Sequence, residues 1–124
     1  MKTILLVEDD LSVQETISDY FRARTSYRII AAEDGEIALD QINNSPPDLI
    51  LLDVLLPRIN GLAFLQDIRR IDKAKDIPVI FISGEMIDDT DKQLGLEFGA
   101  VAYFEKPLDF HELLDKINSI LAGK

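Results

Sequence analysis

The sequence contains no cysteine and a single histidine, His111. Without cysteine, the chain forms no disulfide and offers no thiolate for catalysis or metal binding. His111 has neither a second histidine nor a cysteine to share a metal with, so a metal-binding or catalytic role for it is not favoured. The absence of cysteine is also typical of proteins from reducing compartments, which favours a cytoplasmic location.

The sequence also lacks long apolar runs. None of its runs approaches the 18 or so residues that a membrane helix requires. The first run, residues 4–7, is too short for a signal peptide and meets acid at Glu8. We therefore expect no membrane insertion, no secretion and a cytoplasmic protein.

Positive charge is scarce, with 13 Lys and Arg against 23 Asp and Glu, which gives a net charge of −10. Such a surface repels nucleic acid and anionic membranes, so direct nucleic-acid binding is not expected. Acidity alone identifies no partner, and solubility is sufficient to explain it. The length of 124 residues predicts one domain, spanning 1–124, with no output domain after the last helix.

Short apolar runs alternate with segments of helical length along the whole chain. Runs bounded by turn residues are typical of parallel strands buried on both faces. They occupy residues 4–7, 29–32, 49–52, 79–82 and 101–104. Apolar residues spaced three or four apart predict helices over residues 10–24, 35–43, 62–71, 90–98 and 110–121. The fourth helix is expected to bury Leu94 and Phe98. Five strand–helix repeats predict an α/β fold with a parallel sheet and right-handed crossovers.

Polar side chains stand where four of these strands end. They are Glu8, Asp9 and Asp10 after the first strand, Asp53 after the third, Ser83 after the fourth and Lys106 after the fifth. Each has a simple alternative explanation: Asp10 is a natural cap for the first helix, Ser83 a common turn residue and Lys106 a solvated lysine. Parallel strands present their carboxyl ends at one edge of a sheet, where ligands bind in such folds. The convergence of these residues therefore favours a site.

The chemistry of this set favours phosphoryl transfer. Several carboxylates held close together resist ionisation unless a cation is present, and oxygen ligands without histidine or cysteine suit Mg²⁺. An ionised carboxylate beside Mg²⁺ is a possible nucleophile toward phosphorus. The Lys106 ammonium and the Ser83 hydroxyl can neutralise charge on the phosphoryl oxygens. The residues thus indicate an aspartate that accepts a phosphoryl group.

The segments 4–10, 49–61, 79–84, 99–100 and 106–107, in this order and spacing, resemble the bacterial two-component response-regulator receiver domain, in particular single-domain chemotaxis regulators. The resemblance covers the whole chain. It implies a flavodoxin-like (βα)5 fold with strand order 2-1-3-4-5. It also implies Mg²⁺ held by Glu8, Asp9, Asp53 and the main-chain carbonyl of Leu55.

The same resemblance implies that Asp53 takes the phosphoryl group from a sensor histidine kinase or a histidine phosphotransfer protein. Ser83 and Lys106 would contact its oxygens, Ser83 and Tyr103 would act as the switch, and Lys106–Pro107 would be a cis peptide. The output partner would bind the face formed by the fourth helix, fifth strand and fifth helix. Such a domain catalyses its own phosphorylation and dephosphorylation without being a conventional enzyme.

Departures from the family pattern are few. Ser83 replaces the commoner threonine. Leu55 and Glu85 occupy the variable positions that flank the site, and Leu55 offers no polar group to orient a water, so slow self-dephosphorylation is expected. Pro57 and Gly61 are expected to shape the loop after Asp53.

Three alternatives remain open. A haloacid-dehalogenase-type phosphatase would need an acidic residue at position 55 and a longer chain. A flavodoxin-like nucleotide or FMN binder would need a phosphate loop rich in Gly, Ser or Thr after the first strand. A degenerate receiver would act only as a phosphorylation-independent protein-interaction module, and it is the strongest of the three.

Overall fold

The computed structural model describes residues 1–56, 59–84 and 89–122. Its centre is a parallel sheet of five strands in the order β2-β1-β3-β4-β5. The strands are β1 (Thr3–Val7), β2 (Arg28–Ala32), β3 (Leu49–Asp53), β4 (Val79–Ser83) and β5 (Ala100–Glu105). This topology confirms the flavodoxin-like order that the sequence resemblance predicts.

Five α-helices connect or follow the strands. They are α1 (Leu11–Arg24), α2 (Gly35–Asn44), α3 (Gly61–Arg69), α4 (Asp89–Glu97) and α5 (Phe110–Leu121). The predicted cap at Asp10 is confirmed, since its carboxylate accepts from the main-chain N–H of Ser12 at 2.8 Å. Asp109 caps α5 in the same way and accepts from the main-chain N–H of Glu112 at 3.1 Å. These bonds satisfy amides that have no partner inside the helix.

The sheet divides the core into two layers because successive strand residues point to opposite faces. On one side, α2 and α3 cover Leu5 and Leu52; on the other, α1 and α5 cover Ile4 and Leu51. Because helices cover both faces of the sheet, β3 and β4 are buried along their full length. Apolar burial on both faces therefore explains the continuous Ile, Leu and Val runs of the central strands.

Helix α4 packs differently from the prediction. Leu94 is 37% exposed, whereas Gly95 is buried against the sheet. A Cβ at position 95 would lie 2.6 Å from Cε2 of Phe81 in β4, so glycine lets the helix approach the sheet closely. The expectation that Leu94 faces the core was wrong, because the small residue beside it occupies the contact position.

Two further details differ from the predicted elements. Helix α3 ends at Arg69, and a 3-10 turn over Asp72–Ala74 follows it, so Ile71 lies outside the helix. Between β3 and α3, Leu55–Leu56 pairs antiparallel with Ile59–Asn60 in a short ribbon that the apolar pattern did not reveal. Pro57 and Glu85 lie outside the described residues.

Across the described parts of the chain, no helix combines the length and apolarity needed to cross a bilayer.

Candidate functional site

Three carboxylates meet at the carboxyl edge of the sheet. Strands β1 and β3 are neighbours, with Val7 paired to Leu52, so Glu8 and Asp53 leave the sheet side by side. One ligand oxygen each from Glu8, Asp9 and Asp53 lie within 4.8 Å of one another. The structure thus brings together acidic residues that are 45 positions apart in the chain, as the strand-end argument predicts.

Lys106 joins two of these carboxylates. Its ammonium Nζ lies 2.5 Å from Glu8 Oε1 and 3.1 Å from Asp53 Oδ2. Glu8 and Asp53 are buried, whereas Asp9 is exposed. Two carboxylates removed from water need a compensating charge, and the ammonium of Lys106 supplies it.

The surroundings of Glu8 and Lys106 shift the pKa values of both groups. Burial, with a hydrogen bond to Asp53, raises the pKa of Glu8 to about 7 against the opposing effect of Lys106. Burial lowers the pKa of Lys106, but its hydrogen bonds with Glu8 and Asp53 outweigh burial and raise that pKa overall. Near neutral pH, the negative charge of the site is therefore disfavoured unless a positive charge compensates it. A bound cation would supply such a charge.

The position of Lys106 follows from the sheet. Ser83 pairs with Glu105 in the register of β4 and β5, and the main-chain N–H of Lys106 donates to the Ser83 carbonyl at 2.7 Å. The ladder thereby extends one residue beyond β5 and places Lys106 next to Ser83, which is buried. The predicted cis peptide between Lys106 and Pro107 is present.

Gly61 holds the segment after Asp53 close to α3. Its main-chain N–H donates to the Val54 carbonyl at 3.0 Å. A Cβ at position 61 would lie 2.6 Å from the Cα of Val54 and 2.9 Å from its carbonyl oxygen. Because the obstacle is main chain, it cannot rotate away, and only glycine permits this approach. Gly61 therefore shapes the loop after Asp53.

Tyr103 and Leu55 are two further residues that the sequence predicts for the site. Tyr103 on β5 lines an apolar cavity of about 140 Å³, together with Phe81, Leu96 and Ala102. The Nζ of Lys92 lies 5.1 Å from the centroid of the Tyr103 ring. Leu55 begins the short ribbon after Asp53. The metal-binding role of the Leu55 carbonyl and the switching role of Tyr103 stay predictions.

His111 is not part of the acidic cluster of Glu8, Asp9 and Asp53. Its Nε2 lies 3.6 Å from Asp115 Oδ2, one helical turn further along α5, and both side chains are largely exposed. The pair is an ordinary surface contact between residues four apart on a helix.

Sequence reasoning missed Gln14, whose side-chain amide donates to the main-chain carbonyl of Glu8. The available signal was its place in the first turn of α1, four residues after Asp10, the last residue of the acidic triplet. It also missed Lys92, whose position over Tyr103 depends on how α4 packs against β5.

The donor set fits Mg²⁺. The cluster consists of hard carboxylate oxygens, with no histidine or cysteine ligand among them, and one side of it reaches solvent through Asp9. Mg²⁺ prefers a few carboxylates and retains several waters, which requires such an open side. Glu8, Asp9 and Asp53 are the residues that could hold the ion.

The sequence model of the response regulator receiver domain family matches residues 4–118 of this chain. The transcriptional regulatory protein BaeR of Escherichia coli O6:H1 is 38% identical over 118 residues, which are 95% of this chain and 47% of BaeR. The chain thus spans about half the length of this relative.

Solved structures give the same picture. Chemotaxis protein CheY4 of Vibrio cholerae is 27% identical with a TM-score of 0.88, and 97% of this chain and 98% of that one are covered. The receiver domain of the Francisella response regulator 1452 is 28% identical with a TM-score of 0.84, at 97% and 96% coverage. The likeness extends over the whole sheet and all five helices.

Proposed function

Since this chain belongs to the response regulator receiver domain family, we propose that it accepts a phosphoryl group on Asp53 in a Mg²⁺-dependent reaction and passes the signal on by protein contact. The observation that carries the proposal is the cluster of Glu8, Asp9 and Asp53 with the ammonium of Lys106 in contact with Asp53. These residues supply the acceptor, the metal ligands and a fixed positive charge. The whole chain, 1–124, would form the receiver domain.

Asp53 is the proposed nucleophile. A carboxylate oxygen of Asp53 would attack phosphorus in a phosphohistidine, the P–N bond would break, and its electron pair would stay on the imidazole of the donor. The donor would be a sensor histidine kinase or a histidine phosphotransfer protein. Mg²⁺ bound by Glu8, Asp9, Asp53 and the Leu55 carbonyl would neutralise negative charge on the phosphoryl oxygens.

Lys106 and Ser83 would hold the transferred group. The Lys106 ammonium already contacts Asp53, so a phosphoryl group on that residue would meet a positive charge without a large rearrangement. The Ser83 hydroxyl, at the end of the neighbouring strand, is the proposed donor to another phosphoryl oxygen. Neither residue would need to leave its strand end to do this.

The switch would operate through Ser83 and Tyr103. A phosphoryl group adds roughly two negative charges at the strand ends. Movement of Ser83 toward these charges would allow the Tyr103 ring to change its position, and the surface of α4, β5 and α5 would change with it. The apolar cavity between Phe81, Leu96 and Tyr103 supports this face as the place where an output partner binds.

Loss of the phosphoryl group is expected to be slow, because leucine at position 55 cannot orient an attacking water. A half-life of seconds for the phosphorylated form would contradict this expectation. In keeping with its composition, we also propose that the protein acts in the cytoplasm, without contacting nucleic acid directly.

The test is intact-mass spectrometry after incubation with acetyl phosphate. We expect the mass of one phosphoryl group to be added only when Mg²⁺ is present, and not in Asp53→Ala. Asp67→Ala, which removes an exposed aspartate from α3, is the matched control and should still be phosphorylated.

Some receivers accept the group only from their kinase, so a second probe is needed. Beryllofluoride imitates a phosphoryl group on aspartate, and its binding with Mg²⁺ would support Asp53 as the acceptor. If neither acetyl phosphate nor beryllofluoride modified the wild-type protein, the degenerate receiver that serves only as an interaction module would replace the present proposal.

A further inference from the structure

Gln14 on α1 reaches back to the residue that follows β1. Its side-chain Nε2 donates a hydrogen bond to the main-chain carbonyl oxygen of Glu8 at 2.5 Å. Gln14 is the fourth residue of α1. Helical side chains lean toward the N-terminus, so an amide at this position can reach the end of the preceding strand. The contact ties the helix to the main chain at the edge of the acidic cluster.

The β1–α1 connection is held on both sides of Asp9. Before it, the main-chain N–H of Glu8 donates to the Ala32 carbonyl at 3.0 Å and extends the β1–β2 ladder by one residue. After it, the Asp10 carboxylate accepts from the main-chain N–H of Ser12 at 2.8 Å and caps α1. Between these two bonds, the Gln14 side chain holds the carbonyl of the Glu8–Asp9 peptide in place.

The orientation of this peptide matters more for Asp9 than for the other two carboxylates. Glu8 and Asp53 are buried and in contact with Lys106. Asp9 is exposed, so its carboxylate stays near theirs only as long as its main chain points the right way. An exposed side chain on a freely rotating peptide would sample positions out of reach of the cluster.

We infer that Gln14 is a positioning residue for the metal site: it holds the Glu8 carbonyl and thereby keeps the Asp9 carboxylate within reach of Glu8 and Asp53. The inference rests on the proposed function, because it takes these three carboxylates as Mg²⁺ ligands. Gln14 itself contacts neither the metal nor the phosphoryl group in this role.

The choice of ion separates positioning from a general structural effect. Mg²⁺ requires near-ideal octahedral geometry, whereas Ca²⁺ accepts six to eight ligands at variable angles. A ligand that is less well oriented should therefore weaken Mg²⁺ binding more than Ca²⁺ binding. A residue that only stabilises the fold has no reason to alter the preference between the two ions.

The test is Gln14→Met, which keeps an unbranched side chain of similar length and good helix propensity but removes the donor. The dissociation constants of Mg²⁺ and Ca²⁺ would be measured by titration, with binding followed in NMR spectra by the main-chain amide signals of Asp9 and its neighbours. We expect the constant for Mg²⁺ to rise about tenfold, as is typical when a residue that orients a ligand is lost. The constant for Ca²⁺ should rise by about threefold or less.

Gln66→Met is the matched control, since Gln66 is a half-buried glutamine on α3. Its affinities for both ions should equal those of the wild type. Gln14→Ala, which also removes the donor, should repeat the result of Gln14→Met and guards against a packing effect of methionine.

The outcomes are distinct. A Mg²⁺ constant for Gln14→Met within about twofold of the wild-type value, or an equal loss of affinity for both ions, would overturn the positioning role while leaving the proposed function intact. A wild-type protein that bound no Mg²⁺ would instead remove the metal site itself, and both proposals with it.

Discussion

The Nζ of Lys106 lies 3.1 Å from Oδ2 of Asp53, an ion pair between residues 53 positions apart in the sequence. Lys106 reaches Asp53 because the β4–β5 ladder continues one residue past Glu105. The same ammonium contacts Glu8, so one cation serves two buried carboxylates. The energetics of the site therefore depend on this lysine and on the protonation of Glu8.

Replacing Lys106 with methionine should destabilise the protein and do so most at alkaline pH. The substitution keeps the length of the side chain but leaves Glu8 and Asp53 close together without a cation. We expect the free energy of unfolding to fall by about 2 kcal/mol at pH 8, less than for a fully buried pair because the Lys106 side chain is 24% exposed. Urea unfolding in the absence of metal measures it.

The loss should be smaller at pH 5, where protonated Glu8 needs no compensating charge. Lys116→Met, which removes an exposed lysine from α5, serves as the control and should change stability little at either pH. An equal loss at both pH values for Lys106→Met would show that packing of the aliphatic chain, rather than its charge, is responsible.

Stability of the metal-free protein should decrease between pH 4.5 and 7. The folded-state pKa of Glu8 is about 7 against an ordinary value of 4.5, chiefly because the group is buried. In this interval folded Glu8 keeps a proton that the unfolded chain has released, so the free energy of unfolding falls as the pH rises. The contribution is on the order of 3 kcal/mol over the whole interval.

Urea titrations in a chelator at several pH values would measure this slope. Glu8→Gln cannot ionise and should remove most of it. Glu15→Gln, at an exposed position on α1, should retain the wild-type slope. If Glu8→Gln kept the full slope, another group would have to be the source of the pH dependence.

Mg²⁺ should raise the melting temperature, and its effect should be greater at pH 8 than at pH 5. An ion that binds only the folded state stabilises it by mass action, and protons compete with the ion for carboxylate ligands. Asp9→Asn removes one ligand charge without touching the Lys106 ion pairs and should lose most of the Mg²⁺ effect. Differential scanning calorimetry with and without the ion checks both expectations.

Asp40→Asn removes the same charge from the exposed face of α2 and is the appropriate comparison. It should respond to Mg²⁺ as the wild type does. A reduced response in both variants would mean that net charge, rather than coordination by Asp9, determines the effect.

Gly61→Ala should cost about 2 kcal/mol of stability, because the new Cβ would lie 2.6 Å from the Cα of Val54. Main chain must move to relieve the overlap, and the segment that moves follows Asp53 directly. Gly84→Ala is the control, since among the described residues a Cβ there would come within 4 Å only of the Cδ of Lys106, at 3.9 Å. Denaturant unfolding of both variants decides the matter, and equal stabilities would contradict the close approach of α3 to Val54.

Much of this fold can be predicted from the sequence alone. The apolar runs and the helical spacing between them determine five strand–helix units, because burial on both faces of a central strand demands uninterrupted Ile, Leu and Val. The positions of Glu8, Asp53, Ser83 and Lys106 at strand ends follow too, since parallel strands share one carboxyl edge. The caps at Asp10 and Asp109 are local and equally readable.

The packing of the helices could not be predicted from the sequence in the same way. The spacing of Leu94 and Phe98 indicates an apolar stripe, yet α4 turns Gly95 toward Phe81 and leaves Leu94 partly exposed. The rotation of a helix depends on the shape of the surface that it meets, and a periodic pattern with few apolar residues does not constrain it. The cavity beside Tyr103 and the contact of Lys92 follow from that rotation.

Residue types and order therefore determined the fold class and the members of the candidate site. Tertiary structure alone decided that one lysine serves two carboxylates, that burial raises the pKa of Glu8, and that Gln14 holds the peptide before Asp9. Distances of a few ångströms and the loss of water set these properties. They depend on how separate strands and helices come together, because electrostatic and hydrogen-bond energies vary steeply with separation and burial.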